Sequence, residues 1–238
     1  MIDSTNQSLA DFVFASKTRK FATGKQRHVT DAFRTVCWFH YLRRATGART
    51  TYQMDTLVEI ADASAARDPQ DKKNKWRGYS HGRHTPSPQL VQEIDGRFPE
   101  AAHLLNHPLW SVLRMDGNTE EQVKALLIQV HPDVFAVIRP KSWTGHTPLT
   151  LDGWNKRRLR GLEQQVSLDT LASLVLLLRL AANAKESKLS FEFGASVCRV
   201  LLMMGPWLKA HGIARPLSEY LTEHVLVLGH HNGQHHCF

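Results

Sequence analysis

An all-α fold is the class this 238-residue sequence predicts, and three observations carry the prediction. Apolar residues recur at three- and four-residue spacing in segment after segment. Residues that cap helices stand just before several of those segments, and glycine or proline closes them. Alternating apolar–polar runs of strand length are lacking, as is any internal repeat.

Asp3 to Ser16 reads as a weak first helix with Leu9, Phe12 and Val13 on one side, followed by a basic connector through Gly24. Thr30 is suited to cap a stronger helix carrying Phe33, Val36, Cys37 and His40, which should end near Gly47. Tyr52 to Ala63 follows as a helix with Leu57, Ile60 and Ala61 inward, and polar residues 65–74 read as a loop or a fraying helix end. Ser87-Pro88 opens a helix whose stripe is Val91, Ile94 and Phe98. Pro99 starts a short turn, and His107-Pro108-Leu109-Trp110 opens another helical piece. Asn118 and Glu121 have capping-box spacing ahead of Val123, Leu126, Leu127 and Val130. Residues 131–153, rich in Pro and Gly, mark a boundary between an N-terminal half (1–135) and a C-terminal half (150–238). Beyond it the sequence predicts a cationic helix at Lys156–Arg160 and a nearly all-apolar core helix capped by Ser167 and ending near Asn183. Two more helices, about 190–204 and 216–227, are separated by Gly205-Pro206. Trp38, Trp110 and Trp207 are expected in the core.

A hydrophobic content of 42% with 22% charged residues excludes general disorder. The net charge of +8 is the unusual feature, and it bears on partners rather than on fold. Segments 17–49, 71–84 and 139–162 hold 20 of the 30 basic residues but only three of the 22 acids. Segregation of that kind fits a polyanion-binding face. Three scattered cysteines without a Cys-x-x-Cys pair point to free thiols in a reducing, cytoplasmic setting. The N-terminus lacks the pattern of a secretory signal, and the run Leu174–Leu178 is too short to span a bilayer.

The stretch from Trp76 to Phe98 resembles the second half of the lambda-repressor/Cro-type helix-turn-helix domain. Gly82 closes a basic helical segment, Pro86 follows four residues later, and Val91, Ile94 and Phe98 supply the packing stripe. The resemblance covers about a tenth of the chain, and the expected scaffold helix upstream is hard to align because residues 65–73 insert extra polar positions. It implies a helix-turn-helix-like N-terminal half with Trp76 as the buried residue of a recognition helix. Lys75, Arg77, Ser80 and His81 would then be candidate DNA contacts. With flanking Lys72, Lys73 and Arg83, and with Arg43, Arg44, Arg157, Arg158 and Arg160 as secondary phosphate contacts, these form the candidate nucleic-acid-binding set. The partner it implies is double-stranded DNA, and the activity is that of a sequence- or structure-specific DNA-binding protein such as a bacterial transcriptional regulator. The C-terminal helices would serve self-association or a protein partner. An alternative is a non-catalytic accessory subunit whose basic face meets a ribonucleoprotein or an acidic protein. Aromatics inside the basic segments (Trp76, Tyr79, Trp38, Tyr41, Trp143, Trp154) would add stacking on unpaired bases, ~1–3 kcal/mol each, wherever their rings are open.

No phosphate-binding loop, zinc-protease helix or nucleophile elbow is present in the sequence, so no catalytic residue and no cofactor is assigned. His230, His231, His235, His236 and Cys237 are potential metal ligands, but they crowd the chain terminus and are read as a tail rather than a site.

Overall fold

The computed structural model describes residues 7–17, 27–58, 69–114, 120–139, 151 and 153–229. Every regular element among them is a helix, in agreement with the predicted class. The chain condenses into two compact units. One runs to Trp110 and includes Pro206–Glu219; the other comprises Ser111–Gly205 and the chain from Tyr220 onward.

The first unit is organised around the longest helix of its half. Helix α1 spans Leu9–Lys17 and buries Leu9 and Phe12. Helix α2 spans Val29–Thr46 and is buried on most of its circumference, from Phe33 and Val36 through Trp38, Phe39 and Leu42. Its cap is His28, whose Nδ1 accepts from the Thr30 N–H at 3.3 Å, and not Thr30 itself. Its end is where the sequence puts it: Gly47 adopts φ +70° and returns its N–H to the Arg44 carbonyl. Helix α3, Thr51–Val58, turns Met54 and Val58 inward. Leu57, expected inside, is 41% exposed, because the i, i+4 pair Met54/Val58 takes the core face; Ile60 and Ala61 lie outside the described residues.

Helix α4, Pro69–Ser80, occupies much of the stretch read as a loop from sequence. Polar residues hide its periodicity, and Trp76 and Tyr79 hold it against α2. Helix α5, Pro88–Asp95, begins at the predicted point, with Ser87 Oγ accepting from the Leu90 N–H at 3.3 Å. Pro99 starts a full helix, α6 (Pro99–Leu105), rather than a turn, and α7 spans Pro108–Arg114. Trp38, Phe39, Leu42, Met54, Val58, Trp76, Tyr79, Leu90, Ile94, Ala101 and Leu105 make one continuous core.

The second unit holds α8 (Glu120–Leu127), α9 (Pro132–Ile138), α10 (Lys156–Glu163), α11 (Leu168–Asn183) and α12 (Ser187–Met203). The presence of α9 shows that the Pro/Gly-rich stretch is in part helical; residues 140–150 are outside the described set, as is Asn118 of the expected capping box. Helix α11 is the predicted core helix: Ser167 Oγ caps it through the Thr170 N–H, and residues 171–179 are all buried. A short turn returns the chain into α12, and these two form the main helix pair. Glu163 ties α10 to α12, accepting from Ser196 Oγ at 2.5 Å and Arg199 Nη2 at 2.7 Å. No helix among the described residues is long and apolar enough to cross a membrane.

Gly205-Pro206, expected as a separator, opens helix α13 (Gly205–Ala210), and α14 spans Ala214–His224. Trp207, assigned to the core from sequence, is only half-buried and lies flat on the His211 ring at 3.8 Å. His211 donates from Nδ1 to the Trp207 carbonyl at 2.8 Å. Burial first, and the nearby Arg44 charge as well, pull the His211 pKa below its ordinary range, although the carbonyl bond opposes this. The folded state therefore disfavours the charged form of His211. Its contribution to stability is complete above the unfolded value of about 6.5 and is lost as pH falls below it, since the unfolded chain then binds the extra proton. The urea midpoint of the wild-type chain should drop between pH 7 and pH 5, and a His211→Asn variant should show a shallower drop over the same interval.

Candidate nucleic-acid interface

The corner between α4 and α5 is built from the inside. Trp76 is fully buried, stacked on Trp38 at 5.9 Å with their planes 10° apart. Tyr79 meets both indoles edge-on, at 5.5 Å and 5.6 Å. Such pairs contribute about 0.5–1.5 kcal/mol each beyond area burial. With positions 76 and 79 turned inward, position 77 falls on the opposite side of the helix, and Arg77 is exposed.

The helix then stops in a Schellman turn. Arg83 N–H bonds the Gly78 carbonyl at 2.8 Å, Gly82 N–H bonds the Tyr79 carbonyl at 3.0 Å, and Gly82 takes φ +65°. A Cβ at Gly82 would also come within 2.8 Å of the Ala32 side chain, so both the conformation and the close approach to α2 require glycine. Arg27 fastens this turn. Its buried guanidinium donates to the Gly82 carbonyl, to the Asp31 carbonyl at 2.7 Å, to Thr35 Oγ1 at 3.1 Å and to Thr85 Oγ1 at 3.0 Å.

The predicted site residues divide accordingly. Arg77 and Arg83 are exposed, and neither has an ion pair among the described residues. Lys75 is half-buried, and Lys72 and Lys73 lie in the early turns of α4 with side chains outside the described residues. Ser80 is buried, its hydroxyl donating to the Arg77 carbonyl at 2.9 Å, and His81 Nδ1 donates to the same oxygen at 2.9 Å. Both serve the helix end. Arg44 is exposed, whereas Arg43 is half-buried and donates from Nε to the Ala48 carbonyl at 3.3 Å.

In the second unit, Arg157 and Arg160 are exposed on α10 while Leu159 and Leu162 face inward. Arg158 is not a surface cation. It donates from Nε to the Val137 carbonyl at 2.7 Å and from Nη2 to the Ile138 carbonyl, and it lies 4.4 Å from the centroid of the Trp154 ring. Its partial burial lowers its pKa. Guanidinium donation to the last carbonyls of α9 suits the negative end of that helix. Lys156, Arg157 and Arg158 all occupy the first turn of α10, where no acid is present. Cations there oppose the helix dipole, an unfavourable placement of about 0.3–1 kcal/mol each.

Arg27, one of the cations of the basic segment 17–49, is buried, whereas Arg139 and Lys156, which were not among the candidate contacts, are exposed. Of the aromatics proposed for stacking on bases, Trp38, Trp76 and Tyr79 are buried, and Trp154 is half-buried between Arg158 and Phe193. Trp143 and the histidine-rich tail lie outside the described residues. Comparison with protein-family models, with curated proteins and with solved structures gives no match.

The Arg27 arrangement has a direct test. Arg27→Met should destabilise the chain by about 2–4 kcal/mol, because buried carbonyls lose their donor. Arg27→Lys should fail to restore stability in urea unfolding, since an ammonium cannot reproduce the planar fork.

Proposed function

We propose that the chain binds double-stranded DNA through the α4–α5 corner, as a sequence- or structure-selective DNA-binding protein of the kind that regulates transcription. One observation carries the reading. The corner buries its aromatic and aliphatic side chains and presents Arg77 and Arg83 to solvent, within a stretch from Lys72 to Gln92 that contains no acidic residue. Exposed cations on a rigid helix end are suited to backbone phosphates, where displaced counterions favour association.

Burial of Trp38, Trp76 and Tyr79 favours a duplex over an unpaired strand, because stacking on bases needs open ring faces. The resemblance to the lambda-repressor/Cro family supports α4 as the recognition helix. Since Ser80 and His81 are occupied at the helix end, base contacts would fall to the Lys72–Arg77 portion, with Arg83 on a phosphate.

Selection from a randomised duplex library near physiological salt should enrich one motif or one duplex shape for the wild-type chain. An Arg77→Glu/Arg83→Glu variant should lose that enrichment and bind at least about tenfold more weakly, while its thermal midpoint stays within a few degrees. Weak, unselective binding that the variant leaves unchanged would contradict the reading. It would transfer the basic face to an acidic protein or ribonucleoprotein partner.

A further inference from the structure

We infer that the second unit carries its own grip on a nucleic-acid backbone, formed by Lys156, Arg157 and Arg160 on α10, a helix that Arg158 anchors to the end of α9. The inference rests on the reading of the chain as a duplex-binding protein, and it names a surface apart from the α4–α5 corner.

The three cations are exposed, and none has a side-chain partner among the described residues. Arg160 stands four residues after Lys156 and three after Arg157, so it neighbours both on the surface of α10. Arg158 stands on another side of the same helix, where its guanidinium bonds the carbonyls of Val137 and Ile138 and so anchors α10 to the end of α9. The single acid of the helix, Glu163, is engaged by Ser196 and Arg199 and cannot neutralise the cluster.

Position adds a second argument. The first turn of a helix favours acids, yet α10 begins Lys-Arg-Arg and has Asn155, not an acid, as its cap. Arg158 has a packing reason to be there; Lys156 and Arg157 have none among the described residues, and a bound anion would reverse the unfavourable electrostatics. The ligand chemistry is that of closely spaced phosphodiesters, which three neighbouring cations match better than they match the scattered carboxylates of a protein surface. The side chains, rather than the backbone amides, make the contact.

The same substitution should therefore move stability and binding in opposite directions. In full-length Lys156→Glu/Arg157→Glu, acids replace cations at the helix start, so the thermal midpoint should hold or rise. Affinity for a labelled mixed-sequence duplex at low salt should fall about tenfold or more, and the plot of log K against log salt should become shallower by about two. The motif or shape enriched in library selection should be unchanged, because the selective contacts lie elsewhere. Wild-type affinity and salt slope in this variant would overturn the inference while leaving the corner reading intact. A loss of affinity accompanied by a lowered midpoint would also overturn it, as the effect would then come from misfolding. Absence of duplex binding by the wild-type chain would overturn the corner reading and this inference together.

Discussion

The Trp38–Trp76 stack decides how the first unit presents itself. Two indoles in nearly parallel contact, closed on one edge by Tyr79, fix the rotation of α4 about its own axis. Once position 76 is turned toward α2, Arg77 can only face out. Arg27 adds the second constraint, gathering the Gly82 carbonyl, the start of α2 and Thr85 around one buried guanidinium. Rotation and end point of the helix are thus set by groups that never reach solvent. That rigidity is what a recognition surface requires.

Packing also sorts the positive charge. In sequence the arginines of the basic segments look equivalent, but the fold uses several of them internally. Arg27 and Arg158 bond backbone carbonyls, Arg43 bonds the Ala48 carbonyl, and Arg34 pairs with Asp31 at 3.1 Å. The cations left exposed include Arg44, Arg77 and Arg83 in one unit and Arg139, Lys156, Arg157 and Arg160 in the other. The overall charge of +8 therefore overstates the charge that any one surface can offer a ligand. Proposed contacts have to be drawn from the smaller exposed set.

Local signals in the sequence were sufficient for much of the fold. Ser87-Pro88, Ser167 and Gly47 mark helix ends because a cap needs only a few neighbouring residues, and α11 declares itself by being apolar on nearly every side. What escaped depended on distant partners. The early turns of α4 have no apolar stripe of their own, and the helix is held by aromatic contacts with α2. The structural role of Arg27 has no local signature, because the Gly82 carbonyl it bonds is 55 positions away. Ser80 was a plausible base contact until the helix end claimed its hydroxyl. The choice of Met54 over Leu57 for the core likewise depends on where α3 meets its neighbours.

On the reading proposed above, the chain meets nucleic acid with exposed cations while its aromatic rings stay in the core. Parallel titration of the wild-type chain with a duplex and with one of its strands, over a range of salt, tests this directly. The duplex should bind more tightly, with a steep negative slope of log K against log salt and tryptophan fluorescence that hardly responds to either ligand. Tighter binding of the single strand, with a shallow slope and strong quenching of tryptophan emission, would contradict it.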